Sequence, residues 1–115
     1  MSWTIWHNPR CSKSRQTLAL LESRGIAPTV RRYLEDAPSA EEISTVLTML
    51  GTKPRDLMRT KEAEYRAQRL GEAGVTDAAL VAAMAATPKL IERPVVIHEG
   101  RAALGRPPEN VLTLV

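Results

Sequence analysis

The chain has 115 residues, of which 43% are hydrophobic and 25% charged, and 16 basic against 13 acidic side chains leave a net charge of +3. That length predicts one domain, able to bury roughly two-thirds of its unfolded surface, and so small an excess of charge speaks against nucleic-acid binding while leaving room for an anionic ligand. One cysteine excludes an internal disulfide, and with neither a signal-peptide pattern nor a membrane span the expected compartment is a reducing cytosol.

Two Trp, two Tyr and no Phe mean that the core is built chiefly from Leu, Val, Ile, Ala and Met. "WTIW" at 3–6 reads as a short buried strand, closed by the Asn8-Pro9 turn signal. Ser12 to Arg24 carries a helical stripe through Leu18 and Leu21, with Gly25 as its stop. "PTVRRYL" at 28–34 alternates through Val30 and Tyr33 and predicts a second strand. These three make a β-α-β unit, which places two strands parallel.

The middle, roughly 36–91, is helical in pattern. Ser39 and Glu42 fit a capping box, and Ile43, Val46, Leu47 and Leu50 run on to Gly51. Short helices are expected at 54–58 and at 61–70, the latter charged and exposed. Thr76-Asp77 caps the alanine-rich "AALVAAMAA". The period then changes: strands at 94–98 and 101–104 flank a Glu99-Gly100 turn, and Pro107-Pro108 opens a closing helix bearing Val111, Leu112 and Leu114. The expected class is α/β, a mixed sheet from β-α-β and β-β-α halves with a helical insertion, in a single domain over 1–115.

"WHNPRCSKSR" holds the lone thiol, Cys11, at the start of the first helix. Free N–H groups there favour a thiolate. Lowering a thiol pKa from about 8.5 to about 6.5 needs roughly 2.7 kcal/mol; a helix terminus supplies about 0.3–1, up to about 2 when partly buried. Further donors are therefore required, and His7, Arg10, Lys13, Ser12 and Ser14 lie nearest in sequence. The simpler reading is a small buried hydrophobe.

"HNPRCSKSR", "LMRTKE", "LIERPVVI" and "GRPPE", in that order from Ile5 to Leu114, resemble the arsenate reductase (ArsC) family of the thioredoxin superfamily. The resemblance implies a thioredoxin-like fold and a chemistry in which a thiolate attacks arsenate, a covalent cysteine–arsenate adduct forms, and glutathione and glutaredoxin release arsenite. It puts Cys11 at the nucleophile position and His7 at the family's histidine. Arg59, Arg93 and Arg106 fall on the three arginines that hold the oxyanion; guanidinium forks suit tetrahedral oxyanions. Asn8 and Ser14 complete the candidate binding set, although Asn8 could serve only the turn and Ser14 could simply start the helix. Pro94 matches the superfamily's cis-proline facing the thiol.

With no second cysteine, the reductant comes from outside. Glutathione is the expected co-substrate, glutaredoxin the partner, and no bound cofactor is expected. One cysteine and two distant histidines give no zinc spacing, so no metal is expected; neither nucleic acid nor membrane is an expected partner. Cys-Ser-Lys-Ser stands where plasmid-type relatives have Cys-Gly-Thr-Ser, and the chain is shorter than they are, which points to the short chromosomal branch. Arg10 and Lys13 could strengthen anion binding or favour a glutathionylated partner. Two further classes stay open: a glutathione- or glutaredoxin-coupled thiol oxidoreductase without arsenate, and an Spx-type regulator, whose usual Cys-x-x-Cys this chain lacks. His98 is expected to be exposed or packed across strands.

Overall fold

The computed structural model describes residues 2–115. The chain forms two compact units: one from the segment ending at Asp36 together with Arg93–Val115, the other from Ala37–Glu92.

The first unit is built on a four-stranded sheet of β1 (Trp3–Trp6), β2 (Thr29–Arg31), β3 (Val95–His98) and β4 (Arg101–Leu104), in the order β2-β1-β3-β4. β1 runs parallel to β2 and antiparallel to β3, and β3 and β4 form a hairpin. As a central strand β1 is apolar on both faces, and Ile5 and Trp6 are both buried. β2 is an edge strand and shorter than the predicted 28–34. Thr4, Ile5 and Trp6 pair with it and the His7 N–H donates to the Arg31 carbonyl at 2.8 Å; the chain then turns, with Glu35 and Asp36 both donating to the Arg32 carbonyl at 2.9 Å.

α1 (Ser12–Ser23) crosses from β1 to β2 and buries Ser14, Thr17 and Leu21. Leu21 joins Ile5, Val96, Val111 and Leu114 in the core, with Trp3, Leu18, Leu20, Ile26 and Ala103 packed against it. Each of the five fully packed aliphatic side chains contributes about 1.5–3 kcal/mol by leaving water. The β3–β4 turn has positive φ at both Glu99 (48°) and Gly100 (76°), the two-residue geometry that matches strand twist. His98 is buried and packed across strands: it pairs with Trp3 in the ladder, stacks on its ring at 3.9 Å between centroids, and its Nδ1 lies 2.8 Å from the Ser2 carbonyl. The closing segment Pro108–Leu114 is a 3-10 helix, and it packs on α1 and β4.

The second unit is helical. α2 (Ala40–Leu50) begins with the predicted box, Glu42 N–H on the Ser39 hydroxyl at 3.1 Å and Ser39 N–H on the Glu42 carboxylate at 3.0 Å, and ends at a left-handed Gly51. It packs on a later helix, Asp77–Ala86, capped by Thr76, and the two bury Ile43, Val46 and Leu47 with Leu80, Val81 and Met84. Between them, 54–57 is a 3-10 turn. The predicted 61–70 helix shrinks to α3 (Ala63–Ala67), which buries no residue. Without an apolar stripe little tertiary packing supports it, and Arg69 leaves the helical region at φ 56°. The capped helix Asp77–Ala86 is thus α4. Among the described residues no helix is long and apolar enough to cross a membrane.

Candidate active site

Cys11 is the N-cap of α1, with extended backbone (φ −94°, ψ 124°) and a half-buried side chain. The loop before it is held by Asn8, whose carbonyl accepts the Cys11 N–H and whose Oδ1 accepts the Arg10 N–H, both at 3.0 Å. Arg15 clasps the Pro9 carbonyl at 3.0 Å. Asn8 therefore shapes the turn.

Four influences act on the thiol. Burial opposes ionisation; the Ser14 N–H, the Arg93 guanidinium (as donor and as charge) and the Lys13 N–H favour it, and together they win, so the Cys11 pKa lies below its ordinary value. This corrects the expectation from sequence neighbours. The cation on the sulfur is Arg93, from the segment just before β3, whereas Lys13 acts through its backbone and the exposed side chains of Arg10 and Lys13 point to solvent. The two N–H groups are the orphan donors of a helix start, aimed at an anion as such donors commonly are.

The Ser14 side chain and His7 have a role apart from donation to the sulfur. Ser14 is fully buried, and its hydroxyl lies 2.7 Å from His7 Nδ1 while accepting the Asn8 N–H at 3.0 Å. His7 is itself buried, and burial, then the charges of Arg32 and Arg15, hold its pKa below the ordinary histidine value. Neutral His7 takes up Ser14 and orders the loop; it adds no positive charge for the thiolate.

The Arg93-Pro94 peptide is cis, as the resemblance implied, and so is Arg106-Pro107. Arg106 Nη1 donates to the Arg93 carbonyl at 3.3 Å, which ties the two arginine-bearing strand ends together. Gly105 lies between them, and sequence reasoning passed it by. A Cβ there would collide with Thr17 Oγ1 and lie 2.7 Å from Pro94 Cγ, so no side chain fits. The readable signals were a glycine directly before a motif arginine and a threonine on the buried stripe of α1.

Arg59 belongs to the second unit. Its backbone N–H bonds the Leu90 carbonyl at 2.7 Å, and its guanidinium lies between Glu62 and Glu92, each at 2.9 Å. Burial opposes its charge, but the two carboxylates more than compensate and raise its pKa. The structure thus brings together Cys11, His7, Asn8, Ser14, Arg93 and Arg106 within the sheet unit, while Arg59 is held by acids in the helical one.

The model of the ArsC family matches residues 6–114. An arsenate reductase of Haemophilus influenzae is 44% identical over 116 residues, covering 100% of both chains, and an uncharacterised Escherichia coli protein, YfgD, is 47% identical over 96% of this chain and 94% of its own. A solved arsenate reductase from Vibrio cholerae superposes with a TM-score of 0.97 at 54% identity, over 100% of this chain and 98% of that one. The fold is thioredoxin-like, and the chain belongs to the ArsC family.

Proposed function

We propose that this protein reduces arsenate to arsenite through a covalent intermediate on Cys11, with glutathione and glutaredoxin as the external reductants. The Cys11 thiolate attacks arsenic, and one protonated oxygen leaves as water. A glutathione thiolate then attacks the Cys11 sulfur; the electron pair of the sulfur–arsenic bond stays with arsenic, which departs as arsenite. The mixed disulfide left on Cys11 is opened by glutaredoxin. One cysteine in the chain is consistent with this division of labour, because no internal thiol could resolve the disulfide.

The observation that carries the reading is the thiol at the start of α1 under Arg93, whose carbonyl holds Arg106. In this reading Arg93 and Arg106 bind the oxyanion, and they strengthen their hold as charge builds on its oxygens during attack. Asn8, His7 and Ser14 hold the loop; Arg59 matches the family's third arginine by its place in the "LMRT" motif, but, engaged by Glu62 and Glu92, it serves structural order rather than the oxyanion in this reading.

The test is a reductase assay with arsenate, glutathione and glutaredoxin. Turnover that disappears in Cys11→Ser is the expected result. No turnover in the native protein, with Cys11 still glutathionylated and released by glutaredoxin, would instead make it a thiol oxidoreductase for which arsenate is not the substrate.

A further inference from the structure

We propose that Thr17 is a positioning residue, which through its contact with Gly105 sets the spacing between the Cys11 sulfur and the strand ends that carry Arg93 and Arg106. Nothing in the motifs marks Thr17, and it makes no contact with the sulfur. Its place in the packing is what matters.

Thr17 is fully buried on the face of α1 that meets the sheet unit's core. A buried hydroxyl is costly unless it is bonded. Thr17 Oγ1 donates to the Lys13 carbonyl at 2.8 Å, one turn back toward the N-cap, and lies 3.4 Å from the Gly105 carbonyl. The single hydroxyl proton is committed to the shorter bond, so the contact with Gly105 is chiefly one of fit.

That fit is tight. Gly105 N–H donates to the Pro94 carbonyl at 2.9 Å, extending the β3–β4 ladder by one step beyond Val95 and Leu104. Gly105 is thus clamped between Thr17 and Pro94, with clearance for a hydrogen but none for a carbon. Pro94 adjoins Arg93, and Gly105 adjoins Arg106. The helix carrying Cys11 at its head is therefore indexed against both arginines at one point of contact. An oxygen at the Thr17 position permits a closer approach than a methyl does, and in a packed interior a few tenths of an ångström shift the neighbours rather than disappear.

The inference rests on the reading of Cys11 as the working thiolate, and its test is chosen so that the two can fail separately. The probe is iodoacetamide, with the rate of Cys11 alkylation followed against pH; the chain has no other thiol. Thr17→Val keeps the shape but replaces the hydroxyl by a methyl, and it should raise the alkylation midpoint by about half a pH unit. Gly105→Ala should raise it by about one unit or more. Thr17→Ser retains the oxygen and should restore the native midpoint. As a control for general loosening, Ile26→Val trims the same unit's core and should lower the melting temperature without moving the midpoint.

An unchanged midpoint in folded Thr17→Val, or an equal shift in Ile26→Val, overturns the proposal. If Thr17→Val does not fold, Thr17→Ser still decides: a midpoint raised as far as in Arg93→Ala would overturn it. A native protein that alkylates as expected but never reduces arsenate leaves the positioning role intact and removes only the arsenate reading.

Discussion

Arg93 and Arg59 both stand in motif positions, yet the two units surround them differently. In the sheet unit, Arg93 donates to a sulfur and favours its ionisation. In the helical unit, Arg59 lies between Glu62 and Glu92, with Lys89 also 3.7 Å from Glu62. A guanidinium's usefulness to an anion depends on the charge left over after its neighbours are counted. Near Cys11 that balance is positive, since the electrostatic influences on the thiol come from Arg93 and backbone N–H groups. Around Arg59 two carboxylates share one guanidinium, and structural order gains what ligand charge loses.

The largest effect expected is from removing the sulfur. Cys11→Ser leaves the arginines and the helix start in place but supplies no thiolate, and arsenate turnover should fall to the uncatalysed background. Residual turnover well above background would show that the two arginines activate another nucleophile, and would end the assignment of the chemistry to Cys11.

Next comes Arg93→Ala. Losing a preorganised donor at a developing oxyanion commonly costs about 10²–10³-fold in rate, and this arginine also supports the thiolate. The expected outcome is a kcat/KM for arsenate lower by about 10²-fold, with the iodoacetamide midpoint moved to higher pH. Arg93→Lys, which keeps charge but loses the fork, should recover the midpoint better than the kcat/KM. Equal recovery of both would mean that charge alone matters.

Arg59→Ala gives the converse. It takes the shared guanidinium away from two partly buried carboxylates, a loss of about 1–3 kcal/mol. Urea denaturation should register that loss while the alkylation midpoint of Cys11 stays put. Unchanged stability combined with a large rise in KM for arsenate would break the contrast and make Arg59 an oxyanion ligand like Arg93.

The difference between the two arginines also marks how far the sequence can be read. Signals spanning a few residues held: the Ser39–Glu42 box, the stop at Gly51 and the Glu99-Gly100 turn were all legible because their partners are local. In the charged 61–70 segment helical propensity extends beyond the helix that forms, Ala63–Ala67, because no apolar stripe backs it. Around the thiol, Arg10 and Lys13 are the nearest cations in sequence, but their side chains are exposed, and the acting cation arrives from the segment before β3. Arg93 is legible only through motif resemblance; Thr17 and Gly105 each carry a local signal, but nothing in the sequence pairs them. Both depend on how α1 packs on the hairpin, which no window of the sequence contains.

The smallest effect concerns His7, a buried imidazole in the loop before α1. Its pKa in the folded protein is below the ordinary value of about 6.5. Between the two values the unfolded chain binds more protons than the folded one, so stability rises with pH across that window. His7 therefore imposes no penalty above about pH 6.5 and a growing one as the pH falls toward its folded value. His7→Asn places an amide near the position of Nδ1, able to keep the Ser14 hydroxyl engaged, and cannot titrate. Melting temperatures from pH 7.5 down to 5 should fall more steeply for the native protein than for His7→Asn, the two curves converging or crossing on the acid side. A native curve no steeper than the variant's would mean that His7 protonates as easily folded as unfolded, and the neutral, loop-ordering role given to it here would not stand.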